Sequence, residues 1–162
     1  MALPADGLLG KPLKNSDYTA TISVDETPQE AFDAINDVRG WWTGDPGIEG
    51  STQKVGDEFT YRYQDLHVSK QRIIELVPEK KVAWLVTESY LSFVKNQNEW
   101  TGTTITFEIA RIGNKTQVRF THRGLVPKVE CYGDCSGAWE SYVTQSLRKF
   151  IAQRKRRSSR RK

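Results

Sequence analysis

The sequence predicts an α+β fold in which a curved, mainly antiparallel sheet of about six or seven strands is covered by one long C-terminal helix. Three features indicate this fold. Residues 104–123 have a hairpin pattern centred on Gly113-Asn114, a typical two-residue loop. Residues 134–151 carry apolar side chains at spacings of three and four. An early strand is followed by Thr27-Pro28-Gln29-Glu30, a capping box with proline at the first helical position, which predicts a short helix.

The N-terminal part is predicted to contain one strand and two short helices. Residues 17–25 alternate polar and apolar side chains, as a strand with one buried face does. The capping box starts the first helix, and residues 37–42 form a second helical turn before glycine and proline interrupt the chain. Residues 1–16 are expected to be a flexible leader, residues 17–153 one domain, and residues 154–162 a disordered basic tail.

Six strands are predicted after these helices. Residues 57–64 alternate aromatic and polar side chains, which favours a strand with one buried face. Residues 67–77 and 81–90 carry apolar side chains on both faces, so the sequence leaves open which face is buried. His67, at the start of a strand and close to Asp65, is predicted to be exposed.

The last two strands have a register that the loop fixes. Folding the chain at Gly113-Asn114 places these pairs opposite each other: Ile109 and Val118, Phe107 and Phe120, Ile105 and His122. The intervening positions are polar or charged. One face of this hairpin is therefore predicted to be buried, and it includes a histidine.

The closing helix is predicted to begin at Asp134 as N-cap and to be about 25 Å long, enough to cross five or six strands. Cys131 and Cys135 are too few for a disulfide framework. The pattern favours small buried apolar side chains for them, with a reactive or metal-binding pair as the alternative.

Charge and composition exclude several classes of function. The net charge is +4, but residues 154–162 contribute seven basic side chains; the rest has 17 basic and 20 acidic side chains, a net charge of −3. The tail has no aromatic side chain for base stacking, so no nucleic-acid partner is expected. No stretch is apolar enough to span a membrane, and no motif for a cofactor or metal occurs. We expect a cytoplasmic monomer.

Aromatic side chains dominate the predicted buried face, and space between the helix and the sheet would form a pocket there. The candidate ligand-binding residues are Trp41, Trp42, Phe59, Tyr61, Tyr63, Trp84, Phe107, Phe120, His122, Trp139, Tyr142 and Val143. The alternative is that these side chains simply pack as a core.

His122 has three open interpretations. It is a structural histidine with satisfied hydrogen bonds, a ligand contact, or an acid or base with Glu88 or Glu108 as partner. No nucleophile elbow, phosphate-binding loop or dinucleotide fingerprint is present, and no catalytic residue is assigned.

Several short motifs also resemble a known family. They are Gly40-Trp41-Trp42, Ile74-Glu75-Leu76-Val77-Pro78, Val82-Ala83-Trp84-Leu85-Val86, Glu99-Trp100-Thr101-Gly102-Thr103, Phe120-Thr121-His122-Arg123-Gly124-Leu125 and Cys135-Ser136-Gly137-Ala138-Trp139. Their order and spacing resemble the START-like (SRPBCC) superfamily, and within it the homologues of the activator of the heat-shock-protein-90 ATPase. The resemblance covers about residues 17–152 and implies a helix-grip fold with a central cavity.

Three functions follow from the pocket and the resemblance together. The first is non-enzymatic binding of a small hydrophobic or aromatic ligand, such as a lipid, polyketide or flavonoid, in the central cavity. The second is a protein-interaction or co-chaperone role that stimulates a heat-shock-protein ATPase. The third is a cyclase- or aromatase-like enzyme that uses His122.

Overall fold

The computed structural model describes residues 16–161, with side chains described as far as Arg154. The strands are β1 (Tyr18–Val24), β2 (Pro46–Gly50), β3 (Glu58–Tyr63), β4 (His67–Val77), β5 (Lys81–Leu91), β6 (Thr104–Ile112) and β7 (Lys115–Arg123). The helices are α1 (Pro28–Asn36), a 3-10 turn (Val38–Gly40), α2 (Tyr132–Ser141), a π-helical segment (Tyr142–Leu147) and α3 (Arg148–Arg161).

The seven strands form one antiparallel sheet in the order β1-β7-β6-β5-β4-β3-β2. This arrangement, with two short helical elements after β1 and the long helix at the end, confirms the predicted fold class. The predicted hairpin register is also confirmed: Phe107 lies opposite Phe120, and Ile105 lies opposite His122.

The β4–β5 pair resolves the question of which face is buried. Ile73 and Trp84 are 1% and 0% exposed and face the helix, whereas Ile74 is 43% exposed on the outer face. The register shifts twice along β4, after Lys70 and after Ile73. Such bulges bend a strand and increase its twist, which helps the sheet curve around the helix.

The first helix starts as the capping box predicts. The Glu30 backbone N–H donates to Thr27 Oγ1 at 3.1 Å, and the Thr27 backbone N–H donates to Glu30 Oε1 at 2.9 Å. The 3-10 turn that follows packs closely against α3, since a Cβ atom on Gly40 would lie 2.1 Å from the Phe150 ring. Glycine at this position therefore lets the long helix close over the sheet.

The closing helix begins earlier than the sequence indicates. Cys131 is its N-cap residue and Tyr132 its first residue, so the assignment of Asp134 as N-cap was wrong; Asp134 lies in the first turn. Cys131 and Cys135 therefore both belong to the first turn of the helix. They are joined by a disulfide with a Cα–Cα distance of 5.5 Å. Both cysteines are buried as predicted, but as a disulfide rather than as separate apolar side chains.

The helical backbone continues to Arg161 and so includes residues that the sequence assigned to a separate tail. The predicted leader lies almost entirely outside the described residues. No described helix is long and apolar enough to cross a membrane.

Candidate functional site: an aromatic cleft beside the closing helix

Aromatic side chains fill most of the space between the sheet and the closing helix. All five tryptophans are buried, with exposed fractions between 0% and 3%. Trp42 stacks on Trp84 with ring centroids 5.9 Å apart, and it contacts Trp139 of α2 at 4.8 Å. The concave face therefore holds a packed aromatic core.

A small open cleft remains at one end of this core. It has a volume of about 70 Å³. It is lined by Trp42, Tyr61, His67, Phe93, Trp100, Asp134, Cys135, Ala138, Trp139 and Tyr142. Pockets that enclose drug-sized ligands measure roughly 300–1,000 Å³, and an engineered cavity that binds benzene is about 150 Å³. The cleft can therefore enclose one compact group but not a whole flavonoid or lipid.

Two tyrosine hydroxyls join the helix to the sheet across this cleft. The Oη atoms of Tyr61 and Tyr142 are 2.9 Å apart, within hydrogen-bond distance. Burial, followed by the hydrogen bond that Tyr61 shares with Tyr142, raises the pKa of Tyr61, so its phenol keeps its proton. Tyr142 is also the first residue of the π-helical segment, and such segments frequently occur at functional sites.

His67 lies on the wall of the cleft, so the prediction that it is exposed was wrong. Its ring meets the Trp100 ring edge to face at 4.5 Å, and its Nε2 atom is 3.2 Å from Ser69 Oγ. Residues 64–66 form a short turn in which Gln64 has φ 53°, and His67 pairs with Tyr63 across this turn. Burial lowers the pKa of His67 to about 4, which makes the ring neutral at pH 7.

His122 lies deeper, fully buried, and its two ring nitrogens are both occupied. Trp139 Nε1 donates to His122 Nδ1 at 3.0 Å, and His122 Nε2 is 2.8 Å from Thr103 Oγ1. Because Nδ1 accepts a hydrogen bond, the neutral ring carries its proton on Nε2 and donates it to Thr103. Burial first, and then the nearby His67, lower the pKa of His122 to about 3.

These contacts fit the structural interpretation of His122. The histidine does not line the cleft and has no free nitrogen for proton transfer. The carboxylates considered as its partners, Glu88 and Glu108, are both exposed, whereas His122 is fully buried with its nitrogens bonded to Trp139 and Thr103. The geometric basis for an enzyme that uses His122 is therefore missing.

The other predicted site residues divide into three groups. Four of them line the cleft: Trp42, Tyr61, Trp139 and Tyr142. Six are buried in the core away from it: Trp41, Phe59, Trp84, Phe107, Phe120 and Val143. Tyr63 is 40% exposed, because β3 ends there beyond the cover of the helix.

Five further lining residues were not predicted: Phe93, Trp100, Asp134, Cys135 and Ala138. Phe93 and Trp100 belong to the long β5–β6 connection, where no periodicity assigns a face. The others lie in the first two turns of α2, on the side that faces this connection. In the sequence, only the family-like motifs around Trp100 and Cys135 point to these residues, and a motif does not indicate which way a side chain faces.

Asp134 is the only lining residue of the cleft that carries a formal charge at pH 7, since His67 is neutral. No lysine or arginine belongs to the lining. Among the described residues, no group of three or more histidine, cysteine, aspartate or glutamate side chains could hold a metal ion. The cleft is thus an aromatic site with one carboxylate at its edge.

The sheet gripped by a long C-terminal helix defines a helix-grip protein of the START-like class. A family model described as activator of Hsp90 ATPase homolog 1-like protein matches residues 27–152, and the chain belongs to this family. No functionally curated protein matches the sequence significantly.

Solved structures show the same fold. The solution structure of the Aha1 dimer from Colwellia psychrerythraea is 24% identical, with a TM-score of 0.62, 78% of this chain covered and 90% of that one. Protein MLL2253 from Mesorhizobium loti is 15% identical, with a TM-score of 0.63 and coverages of 83% and 97%. DynU16, from the dynemicin biosynthetic locus, is 12% identical, with a TM-score of 0.61 and coverages of 87% and 48%. At these identities the similarity establishes the fold alone.

Proposed function

We propose that the protein is a non-enzymatic binding module whose aromatic cleft holds one compact apolar or aromatic group of a small molecule. The observation that carries this proposal is an open cleft of about 70 Å³ with seven aromatic or imidazole rings in its wall. A lipid-, polyketide- or flavonoid-like ligand would insert one end and leave the remainder outside, because the closed volume is too small for the whole molecule.

The rim of the cleft suits such partial insertion. Phe93 lines the cleft and is 43% exposed, and Leu66 in the adjoining β3–β4 turn is 46% exposed. Apolar side chains at a pocket edge can cover the part of a ligand that protrudes. This supports binding at the mouth rather than transport within an enclosed cavity.

A blocking variant tests this proposal. Ala138→Phe places a ring in the cleft, whereas Ser141→Phe introduces the same ring at an exposed position of the same helix. Small aromatic compounds should shift the indole N–H resonances of Trp42, Trp100 and Trp139 in the parent and in Ser141→Phe. The shifts should vanish in Ala138→Phe. Binding that survives Ala138→Phe unchanged would contradict the proposal.

A co-chaperone role is the second candidate, and the family membership together with an exposed apolar cluster favours it. Tyr63, Leu66, Tyr90 and Phe93 are 40–46% exposed at the same end of the sheet, and they offer a protein partner a contact surface. Mixing the protein with a heat-shock-protein-90 chaperone should then raise ATP turnover, and Leu66→Asp should reduce the increase. Unchanged turnover at saturating protein would rule this role out.

A further inference from the structure

We propose that the disulfide between Cys131 and Cys135 is a reactive site, which exchanges with small aliphatic thiols that enter through the aromatic cleft. The two sulfurs differ in access. Cys135 belongs to the lining of the open cleft, whereas Cys131 does not and is 0% exposed. Because exchange requires direct attack on one sulfur, the cleft offers Cys135 to a thiol while the surrounding core protects Cys131.

The disulfide is not needed to hold distant parts of the chain together. It joins two residues four positions apart in one helical turn. The Cys135 backbone N–H already donates to the Cys131 carbonyl at 2.7 Å, so the backbone closes this turn by itself. A disulfide that closes so short a loop also adds less stability than one that closes a long loop. The sulfurs can therefore separate without the fold opening.

Two carboxylates hold the same turn in place independently of the sulfurs. Glu99, in the β5–β6 connection, accepts the Cys131 backbone N–H at 2.8 Å. Glu130, just before the helix, accepts the backbone N–H groups of Lys95 and Asn96 at 3.2 and 2.9 Å. These contacts keep the β5–β6 connection against the start of the helix, so the wall of the cleft persists in both redox states.

The exchange takes two steps. A deprotonated thiol attacks Cys135 Sγ, the S–S bond breaks, and its electron pair stays on Cys131 Sγ. Trp100 Nε1 donates to this sulfur at 3.4 Å and so faces the leaving group, which takes up the proton that the attacking thiol released. A second thiol attacks the outer sulfur of the mixed disulfide, and the electron pair and a proton pass to Cys135. Two small thiols are thereby oxidised to one disulfide, and the protein is reduced to two thiols.

Single-cysteine variants test which sulfur reacts. Cys131→Ser and Cys135→Ser each keep one thiol, and both are treated with bis(2-hydroxyethyl) disulfide at pH 7. Mass spectrometry of the intact proteins should show the mixed disulfide forming at least about tenfold faster in Cys131→Ser, because only Cys135 is reached from the cleft. Equal rates, or faster reaction of Cys131, would overturn the proposal.

The unaltered disulfide provides a test that does not depend on the folding of these two variants. Reduction by 2-mercaptoethanol should be at least about fivefold slower in Ala138→Phe, whose added ring fills the cleft, and should keep the parental rate in Ser141→Phe. On reduction, the indole N–H resonance of Trp100, which donates to Cys131, should shift. That of Trp41, whose acceptor is a backbone carbonyl, should not. The same rate in all three proteins, or a disulfide that resists the thiol as long as the protein is folded, contradicts the proposal.

The outcomes separate this inference from the proposed binding function. The mixed disulfide on Cys135 carries the carbon chain of the thiol into the cleft, so small aromatic compounds should no longer shift the indole resonances there. Compounds that bind the mixed disulfide as well as the free thiol would show that the thiol does not enter the cleft, and the inference would be wrong. If Cys135 exchanges but aromatic compounds never bind, the binding function fails and the inference stands. If they bind while the disulfide resists 2-mercaptoethanol, the inference alone fails.

Discussion

The inner faces of β7 and β4 belong to the same sheet and meet the same aromatic core, but they treat buried polar groups differently. On β7, Thr116 and His122 are each 0% exposed and fully engaged: Thr116 Oγ1 donates to the Glu26 carbonyl, and both nitrogens of His122 are hydrogen-bonded. On β4, His67 has one hydrogen bond to Ser69 among the described contacts, and the buried Oε1 atom of Gln71 has no partner.

The difference separates a polar network in which every described group is paired from one that contains an unpaired buried atom. Buried polar groups that are fully paired hold a core in one arrangement, whereas unpaired ones cost stability. The β7 side is closed over His122, while the β4 side opens through His67 to the cleft. We therefore expect β7 to contribute most to stability and the β4 end to contribute most to binding.

Truncating each histidine gives the largest contrast. His122→Ala leaves a cavity and removes the acceptor of Trp139 Nε1, so it should lower the free energy of unfolding by about 3–5 kcal/mol. His67→Ala removes a side chain from the wall of an open cleft and should cost only about 1 kcal/mol. Urea unfolding at pH 7 measures both changes. Equal losses of unfolding free energy in the two variants would mean that the β7 and β4 histidines contribute to stability in the same way.

The pH dependence of stability provides the next test. The folded pKa values of His67 and His122, about 4 and 3, lie below the unfolded value of about 6.5. The unfolded chain therefore binds protons first, and the stability due to the neutral rings, complete above about pH 6.5, falls as the pH drops towards 4. Each histidine contributes a slope that approaches about 1.4 kcal/mol per pH unit, slightly less for the partly solvated His67.

A histidine variant shows how much of this pH dependence of stability comes from His67. The pKa values of Asp57, Glu58 and Glu130 are all lowered, chiefly by hydrogen bonds to these carboxylates, so these three groups stay ionised in the folded protein between pH 6.5 and 5. His67→Gln should therefore remove about half of the slope measured by urea unfolding at pH 6.5, 6.0, 5.5 and 5.0. An unchanged slope, or a His67 ring resonance that titrates near pH 6.5, would show that His67 is solvated like an exposed histidine.

The sequence predicts the β7 side of this comparison better than the β4 side, for physical reasons. A two-residue loop with alternating side chains fixes every pair of the β6–β7 hairpin, so His122 could be placed on the buried face. Bulges in β4 and apolar residues on both of its faces remove that certainty. Whether His122 lines a void depends on its partners Trp139 and Thr103, which lie in other elements of the chain. No local sequence pattern encodes the volume left between the sheet and the closing helix.

Gln71 and Thr116 complete the comparison with effects of opposite sign. The amide of Gln71 is fully buried; its Oε1 is unpaired, and its Nε2 makes only a 3.4 Å contact with the Ser69 carbonyl. Gln71→Met replaces this amide by an apolar chain of similar length. This change should raise the free energy of unfolding by about 1 kcal/mol. Thr116→Val removes a hydroxyl that is paired with the Glu26 carbonyl and should lower it by about 1–2 kcal/mol.

Urea unfolding of both variants at pH 7 shows whether only the unpaired polar group on β4 lowers the free energy of unfolding, or whether any buried polar group in this core does so. If Gln71→Met destabilises the protein as Thr116→Val does, the amide of Gln71 makes more favourable contacts than its geometry indicates. If Gln71→Met stabilises the protein and also weakens the binding of small aromatic compounds, the unpaired amide supports the cleft through β4 at the expense of stability. Stabilisation with unchanged binding would confine the role of Gln71 to the core.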